Sequence, residues 1–132
     1  DLQALELVGP KVTDASMAYV RNLSGLRGLN LIHTAVTDNG IKHLEDMQGL
    51  REIEFYDVAL TDTGFEVLAN LSHLQRLWIV NAKLTNASVA KIKGMSSLRR
   101  LHLANAGISS EGLVILKYDM PFCEITPLPE SK

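Results

Sequence analysis

The chain repeats itself every 24 residues, and this period constrains its fold more than any other feature. A Thr-Asp pair or a polar replacement recurs at this spacing without insertion or deletion, at Thr13-Asp14, Thr37-Asp38, Thr61-Asp62, Thr85-Asn86 and Ser109-Ser110. A fixed period of this length means that each unit is one supersecondary element that cannot bury its apolar side alone. Stacked units can share one continuous core. The period therefore predicts a solenoid.

Each unit begins with the apolar pattern L-x-x-L-x-L, as in Leu74, Leu77 and Ile79. The last two of these positions fit a short strand whose alternate side chains point into the core. In the second half of the unit the apolar spacing becomes three, which matches a helical or 3₁₀ segment that buries a narrow stripe. The Thr of each pair can cap that segment, and the Asp complements the positive end of its dipole.

These units resemble those of leucine-rich repeat proteins, specifically the bacterial, planctomycete-type subclass with the 24-residue pattern L-x-x-L-x-L-x-x-T-x-V-T-D-x-G-L. Residues 30–44, NLIHTAVTDNGIKHL, follow it most closely. The resemblance implies an α/β right-handed solenoid, with a parallel sheet of six strands on the concave side and five short helical segments on the convex side. It does not extend to the buried Asn of many such repeats, because that position holds Pro10, Thr34, Val58, Ala82 and Ala106.

We expect one leucine-rich repeat domain over residues 1–132, with five units over 2–121 and a closing half-repeat over 122–132. Proline lacks the backbone N–H that strand pairing needs, and three prolines follow the last helix: Pro121, Pro127 and Pro129. Leu2, by contrast, opens the first unit with no polar cap before it. We hypothesise that the chain was excised from a longer array, or that another segment or a subunit covers this end, for instance through self-association.

Composition and spacing argue against several other functions. The 13 basic and 15 acidic residues leave a net charge of -2, which gives no reason to expect a nucleic-acid partner. No apolar run reaches the roughly 20 residues that a membrane span needs, so we expect a soluble domain without membrane insertion. The four histidines fall in different columns of the repeat, and Cys123 is the only cysteine. We therefore predict neither a metal site nor a cofactor.

The alternation of side chains suggests where a partner would bind. If Leu77 and Ile79 point into the core, then Trp78, the only tryptophan, points out of the concave sheet. Aromatic residues and arginine, which are enriched in binding hot spots, gather around it. The predicted partner-binding residues are Trp78, Tyr56, Arg76, Arg100, Glu54, Glu52, His102 and Asn30. The sequence thus predicts a noncatalytic module that binds a protein or peptide.

Three alternatives stay open. Glu52 and Arg76 could simply pair across strands while Trp78 lies flat over its neighbours. The array could instead be a structural spacer or assembly domain that acts through its ends or its convex surface. Finally, Glu52 and Glu54 lie about 7 Å apart by strand rise, near the carboxylate separation of some glycoside hydrolases. An open sheet offers neither acid a desolvated cleft, so a hydrolase is the least favoured of the three alternatives, and we predict no catalytic residues.

Four polar residues directly follow strands and could rim the concave surface: His33, Asp57, Asn81 and Asn105. We predict that they form polar, solvated loops.

Overall fold

A computed structural model of the chain describes residues 2–127. The strands are β1 (Ala4–Val8), β2 (Gly28–Ile32), β3 (Glu52–Tyr56), β4 (Arg76–Val80), β5 (Arg100–Ala104) and β6 (Glu124–Thr126). The helices are α1 (Asp14–Val20), α2 (Asp38–Ile41), α3 (Asp62–Ala69), α4 (Val89–Lys93) and α5 (Ser110–Asp119). A 3₁₀ turn over Lys42–Leu44 extends α2, and another over Asn86–Ser88 precedes α4.

The strands form one parallel sheet in the order β1-β2-β3-β4-β5-β6. The register matches each residue with its equivalent one repeat later, as Ile53 pairs with Leu77 and Leu77 with Leu101. One strand and one helical segment per repeat confirm the predicted α/β solenoid. The sheet lines its concave side and the helical segments line its convex side.

The apolar columns form one continuous core. Ile53, Leu77 and Leu101 are fully buried, and so are Phe65 and Leu68 on the helical side. Leu5 and Leu7 of β1 occupy equivalent positions but are only partly buried, because no strand pairs with the outer edge of β1 within residues 2–127. The predicted inward positions are therefore confirmed.

The Thr-Asp pairs of the second and third repeats cap helices as predicted, and such pairs also join neighbouring repeats. The Thr61 hydroxyl accepts a hydrogen bond from the Thr63 backbone N–H. The same hydroxyl donates to the Asp38 carboxylate of the preceding repeat, which also accepts from the Thr61 backbone N–H at 2.9 Å. Equivalent contacts join Asp14 to Thr37, Asp62 to Thr85 and Asn86 to Ser109. We call this set of contacts the inter-repeat bridge.

The inter-repeat bridge also explains the glycine of the T-D-x-G pattern. A Cβ added at Gly64 would overlap the Asp38 carboxylate, and one at Gly40 would overlap that of Asp14. Ser88 takes this place in the fourth repeat, where its hydroxyl donates to Asp62 Oδ1 at 2.5 Å. The position therefore requires either no side chain or one that hydrogen-bonds the carboxylate.

The prediction of simple solvated loops after the strands was incomplete. His33, Asp57, Asn81 and Asn105 all have positive φ, between 50° and 61°. Their side chains bond in sequence, from His33 Nδ1 to Asp57 Oδ2 at 2.5 Å, Asn81 Nδ2 to Asp57 Oδ1 at 2.5 Å, and Asn105 Nδ2 to Asn81 Oδ1 at 2.8 Å. Asn and Asp tolerate this backbone conformation better than most residues. These four residues form a loop ladder along one edge of the concave face.

Among the helices within residues 2–127, none is long and apolar enough to cross a membrane.

Candidate functional site

The concave face presents the outward side chains of all six strands in columns. Register places Glu54 beside Trp78 and Trp78 beside His102, three of the predicted partner-binding residues. Trp78 is half-buried, whereas its neighbours Leu77 and Ile79 are fully buried. The indole therefore lies on the concave face and not in the core.

Trp78 packs against His102 of the next strand. Their ring centroids lie 4.4 Å apart with an interplanar angle of 17°, a stacked arrangement. His102 Nδ1 lies 2.7 Å from the Thr126 hydroxyl on β6, which fixes the imidazole from its other side. Burial lowers the pKa of His102 below its ordinary value, so the ring is neutral at pH 7. The pair forms a fixed aromatic platform.

The column beside this platform carries paired charges. Arg76 Nη1 lies 3.3 Å from Glu52 Oε1, and Arg100 Nε lies 3.9 Å from Glu124 Oε1. Arg76 and Arg100 are neighbours in register, so the order across β3 to β6 is Glu52, Arg76, Arg100 and Glu124. All four side chains are well exposed, and such pairs contribute little to stability. Their charges nearly cancel along this column.

A hollow of about 340 Å³ opens on the other half of the same face. Its apolar lining comes from Ile32, Tyr56 and Val80, which are neighbours in register on β2, β3 and β4. Its polar lining comes from Glu6, Asn30, Glu54 and two loop-ladder residues, His33 and Asp57. We call this feature the acidic hollow.

Tyr56 is held in the acidic hollow by its neighbour on the same strand. Its hydroxyl donates to Glu54 Oε1 at 2.9 Å. Burial raises the pKa of Tyr56, and the hydrogen bond and negative charge of Glu54 raise it further. The phenol is therefore protonated at neutral pH and presents a fixed ring.

The eight predicted binding residues thus fall into two adjoining groups. Asn30, Glu54 and Tyr56 line the acidic hollow. The other five belong to the aromatic platform and the charged column: Trp78, His102, Arg76, Arg100 and Glu52. Their role in binding stays a prediction. The structure also has both features of the simplest alternative, because Glu52 pairs with Arg76 and Trp78 lies against a neighbouring ring.

Several residues of this face were missed by the sequence analysis. Glu6, Ile32 and Val80 also point outward by the alternation of side chains along their strands, but they were not among the predicted binding residues. Thr126 and Glu124 continue two of these columns into the closing half-repeat. His33 and Asp57 were predicted only as residues that could rim the concave surface, and their contact with the hollow depends on the loop ladder.

The two carboxylates considered as a catalytic pair, Glu52 and Glu54, are each engaged by a neighbouring side chain. Glu52 pairs with Arg76 and its side chain is 52% exposed, and Glu54 accepts from Tyr56 in a hollow that is open to solvent. Among residues 2–127 no three His, Cys, Asp or Glu side chains lie where they could share a metal ion. Burial raises the pKa of the Cys123 thiol to about 11, which keeps it protonated and unreactive at neutral pH.

The fold is that of a leucine-rich repeat solenoid. No protein-family pattern matches the sequence, and no curated protein matches it significantly. Among solved structures, the chain is similar to a leucine-rich repeat protein of Leptospira interrogans, with 25% identity and a TM-score of 0.62 over 83% of this chain. It is also similar to an internalin from Listeria monocytogenes, with 18% identity and a TM-score of 0.66 over 84% of this chain. The matches span 27% and 33% of those proteins.

Proposed function

We propose that this leucine-rich repeat solenoid is a noncatalytic module that binds a protein or peptide on its concave sheet. The observation that carries the proposal is the placement of Trp78, whose ring is stacked on His102 at the surface. The strand does not itself require an aromatic side chain at this outward position. Tryptophan is among the residue types most enriched in binding hot spots. The repeat fold shared with other leucine-rich repeat proteins supports a binding role.

Rigidity of the face supports the same proposal. Trp78 is fixed by His102, His102 by Thr126, and Tyr56 by Glu54. Side chains that are already ordered lose less conformational entropy when a partner binds. The concave face therefore offers exposed aromatic surface whose side chains lose little conformational entropy when a partner binds.

The proposal is tested by selecting peptides from a random display library on the immobilised protein and comparing their affinities for two variants. Trp78→Ala removes the concave indole, and Tyr118→Ala removes an aromatic side chain on α5 that is 82% exposed. We expect Trp78→Ala to weaken binding by about 2 kcal/mol, or roughly 30-fold, and Tyr118→Ala to leave it unchanged. Circular dichroism verifies that both variants fold.

Selected peptides that bind Trp78→Ala as tightly as the unaltered protein would contradict the concave site. Peptides that lose affinity only for Tyr118→Ala would move the site to the convex side.

A second candidate is an assembly or spacer role through the ends of the solenoid, including self-association at the N-terminal end. It is favoured by the exposure of Leu2 and Val8, 49% and 59%, beside the edge of β1 that no strand of residues 2–127 covers. Sedimentation velocity over a range of concentrations tests it. A dimer that Leu2→Glu and Val8→Glu dissolve would support this role, and a monomer at every concentration would exclude self-association.

We further infer that residues 1–132 act as one domain of the bacterial, planctomycete-type subclass with 24-residue T-D-x-G-L units. The unbroken period and the inter-repeat bridge between Asp38 and Thr61 support this assignment. A solved member of that subclass whose Asp bonded only within its own repeat would contradict it. Separate melting of the two halves in calorimetry would contradict the single domain.

A further inference from the structure

We propose that the acidic hollow receives a lysine or arginine side chain of an extended peptide bound on the concave face. The aliphatic stem would lie along Ile32, Tyr56 and Val80, and the charged end would face Glu6 and Glu54. This inference rests on the proposed binding function and adds the chemistry of the partner.

The first argument is the distribution of charge on the concave face. In the neighbouring column Glu52 and Glu124 each face an arginine. Glu6 and Glu54, in contrast, form no ion pair within residues 2–127, and no Lys or Arg of this part of the chain lines the acidic hollow. The negative charge of the face is therefore concentrated at the hollow, where a positive partner group would complement it.

The second argument is the apolar lining beside those carboxylates. Ile32, Tyr56 and Val80 form a continuous stripe across three strands, because they are direct neighbours in register. Lysine and arginine cover such surfaces with their methylene stems while their charged ends stay hydrated. The Tyr56 ring adds an aromatic face that attracts a cation. A small cation without a stem would leave this stripe uncovered.

The third argument is size and rigidity. A volume of about 340 Å³ is at the lower end of ligand pockets and suits one long side chain. Both oxygens of Asp57 are already engaged, one by His33 and the other by Asn81. Asp57 therefore stiffens the rim, and Glu6 and Glu54 are the carboxylates that could accept from a ligand.

The experiment uses four libraries of acetylated, amidated pentapeptides that differ only in a fixed central residue: lysine, arginine, norleucine or glutamate. Norleucine keeps an aliphatic stem and lacks the charge. Binding is followed by titration of the ¹⁵N-labelled protein, with the backbone amides of Tyr56 and Val80 as reporters. We expect the lysine and arginine libraries to bind about 2- to 10-fold more tightly than norleucine, with glutamate weakest. Raising the salt concentration should narrow this difference.

A matched pair of variants assigns the preference to the acidic hollow. Glu54→Gln removes one carboxylate of the hollow but keeps an oxygen that can accept from Tyr56. Glu124→Gln, the control, removes a carboxylate of the same sheet that lies outside the hollow. We expect Glu54→Gln to reduce the lysine preference to less than about 2-fold and Glu124→Gln to retain it. Glu6→Gln, at an exposed position, repeats the test independently of Tyr56.

The contrary outcomes separate this inference from the proposed function. Equal binding of the norleucine and lysine libraries at the concave amides would overturn the inference and leave a concave binding module. Shifts that depend on protein concentration alone would assign the face to a second copy of the chain and overturn the inference as well. Both the inference and the proposed function would be overturned if no library shifted these amides and the selected peptides bound Trp78→Ala as tightly as the unaltered protein.

Discussion

Asp38 of the second repeat accepts two hydrogen bonds from Thr61 of the third, at 2.9 Å from its backbone N–H and 2.5 Å from its hydroxyl. The Thr-Asp pair is therefore a connection between repeats as well as a helix cap. Because solenoid stability depends on nearest-neighbour contacts, this bridge should matter more than a local cap would.

Replacing Asp38 tests the inter-repeat bridge. Asp38→Ala removes both acceptors for Thr61, so we expect a loss of about 1 to 3 kcal/mol in the free energy of unfolding. Asp46→Ala, at an exposed position on the convex side, should change it by less than about 0.5 kcal/mol. Urea unfolding followed by circular dichroism measures both values. Equal midpoints for the two variants would contradict the bridge.

The glycine of the T-D-x-G pattern gives a second test. Gly64→Ala would press a Cβ against the Asp38 carboxylate and should cost about 1 to 3 kcal/mol. At Gly94 the nearest atom to an added Cβ is 3.5 Å away and φ is -79°, so Gly94→Ala should be neutral or stabilising.

The double variant Asp38→Ala, Gly64→Ala should be more stable than the sum of the single losses, since the overlapping carboxylate is gone. Strict additivity in urea unfolding would show that Gly64 is required for another reason.

Asp62 gives the bridge a pH dependence. Burial alone would raise its pKa, but hydrogen bonds from the Ser88 hydroxyl and from Thr85 outweigh it and lower the pKa below its ordinary value. A carboxyl with a lowered folded pKa stabilises the fold above its unfolded pKa, about 3.9, and this contribution is lost as pH falls through the folded value. We therefore expect the stability advantage over Asp62→Asn to be constant near neutral pH and to shrink below about pH 4. An advantage that stayed constant down to pH 2 in urea unfolding would contradict this.

The sequence was sufficient for the inward and outward columns because a strand alternates with a period of two and the repeat fixes the register. Leu77 and Trp78 were assigned to opposite faces on that basis alone. It was insufficient for contacts that cross repeats. Within the sequence of one repeat, the Thr-Asp pair indicates only a helix cap, so the hydrogen bonds between Asp38 and Thr61 could not be predicted. The loop ladder could not be predicted either, because it depends on positive φ at His33 and the equivalent residues. The acidic hollow could not be predicted for the same reasons, because its lining residues come from four strands and from the loop ladder.

Substitutions of the adjacent residues Leu77 and Trp78 distinguish a core position from a surface position. Leu77 is fully buried, so Leu77→Ala should cost about 2 to 5 kcal/mol in the free energy of unfolding. Trp78→Ala should cost less, because the indole is half-buried at the surface. Thermal unfolding by circular dichroism compares them, and a larger loss for Trp78→Ala would reverse the assignment of faces.

The most direct test of the binding face uses the intrinsic fluorescence of Trp78, which is the only tryptophan of the chain. A peptide selected on the protein is titrated while the emission maximum and acrylamide quenching are recorded. We expect binding to shift the emission and to protect the indole from acrylamide, in proportion to the bound fraction. Saturating binding that left both the emission and the quenching unchanged would show that the partner does not contact Trp78.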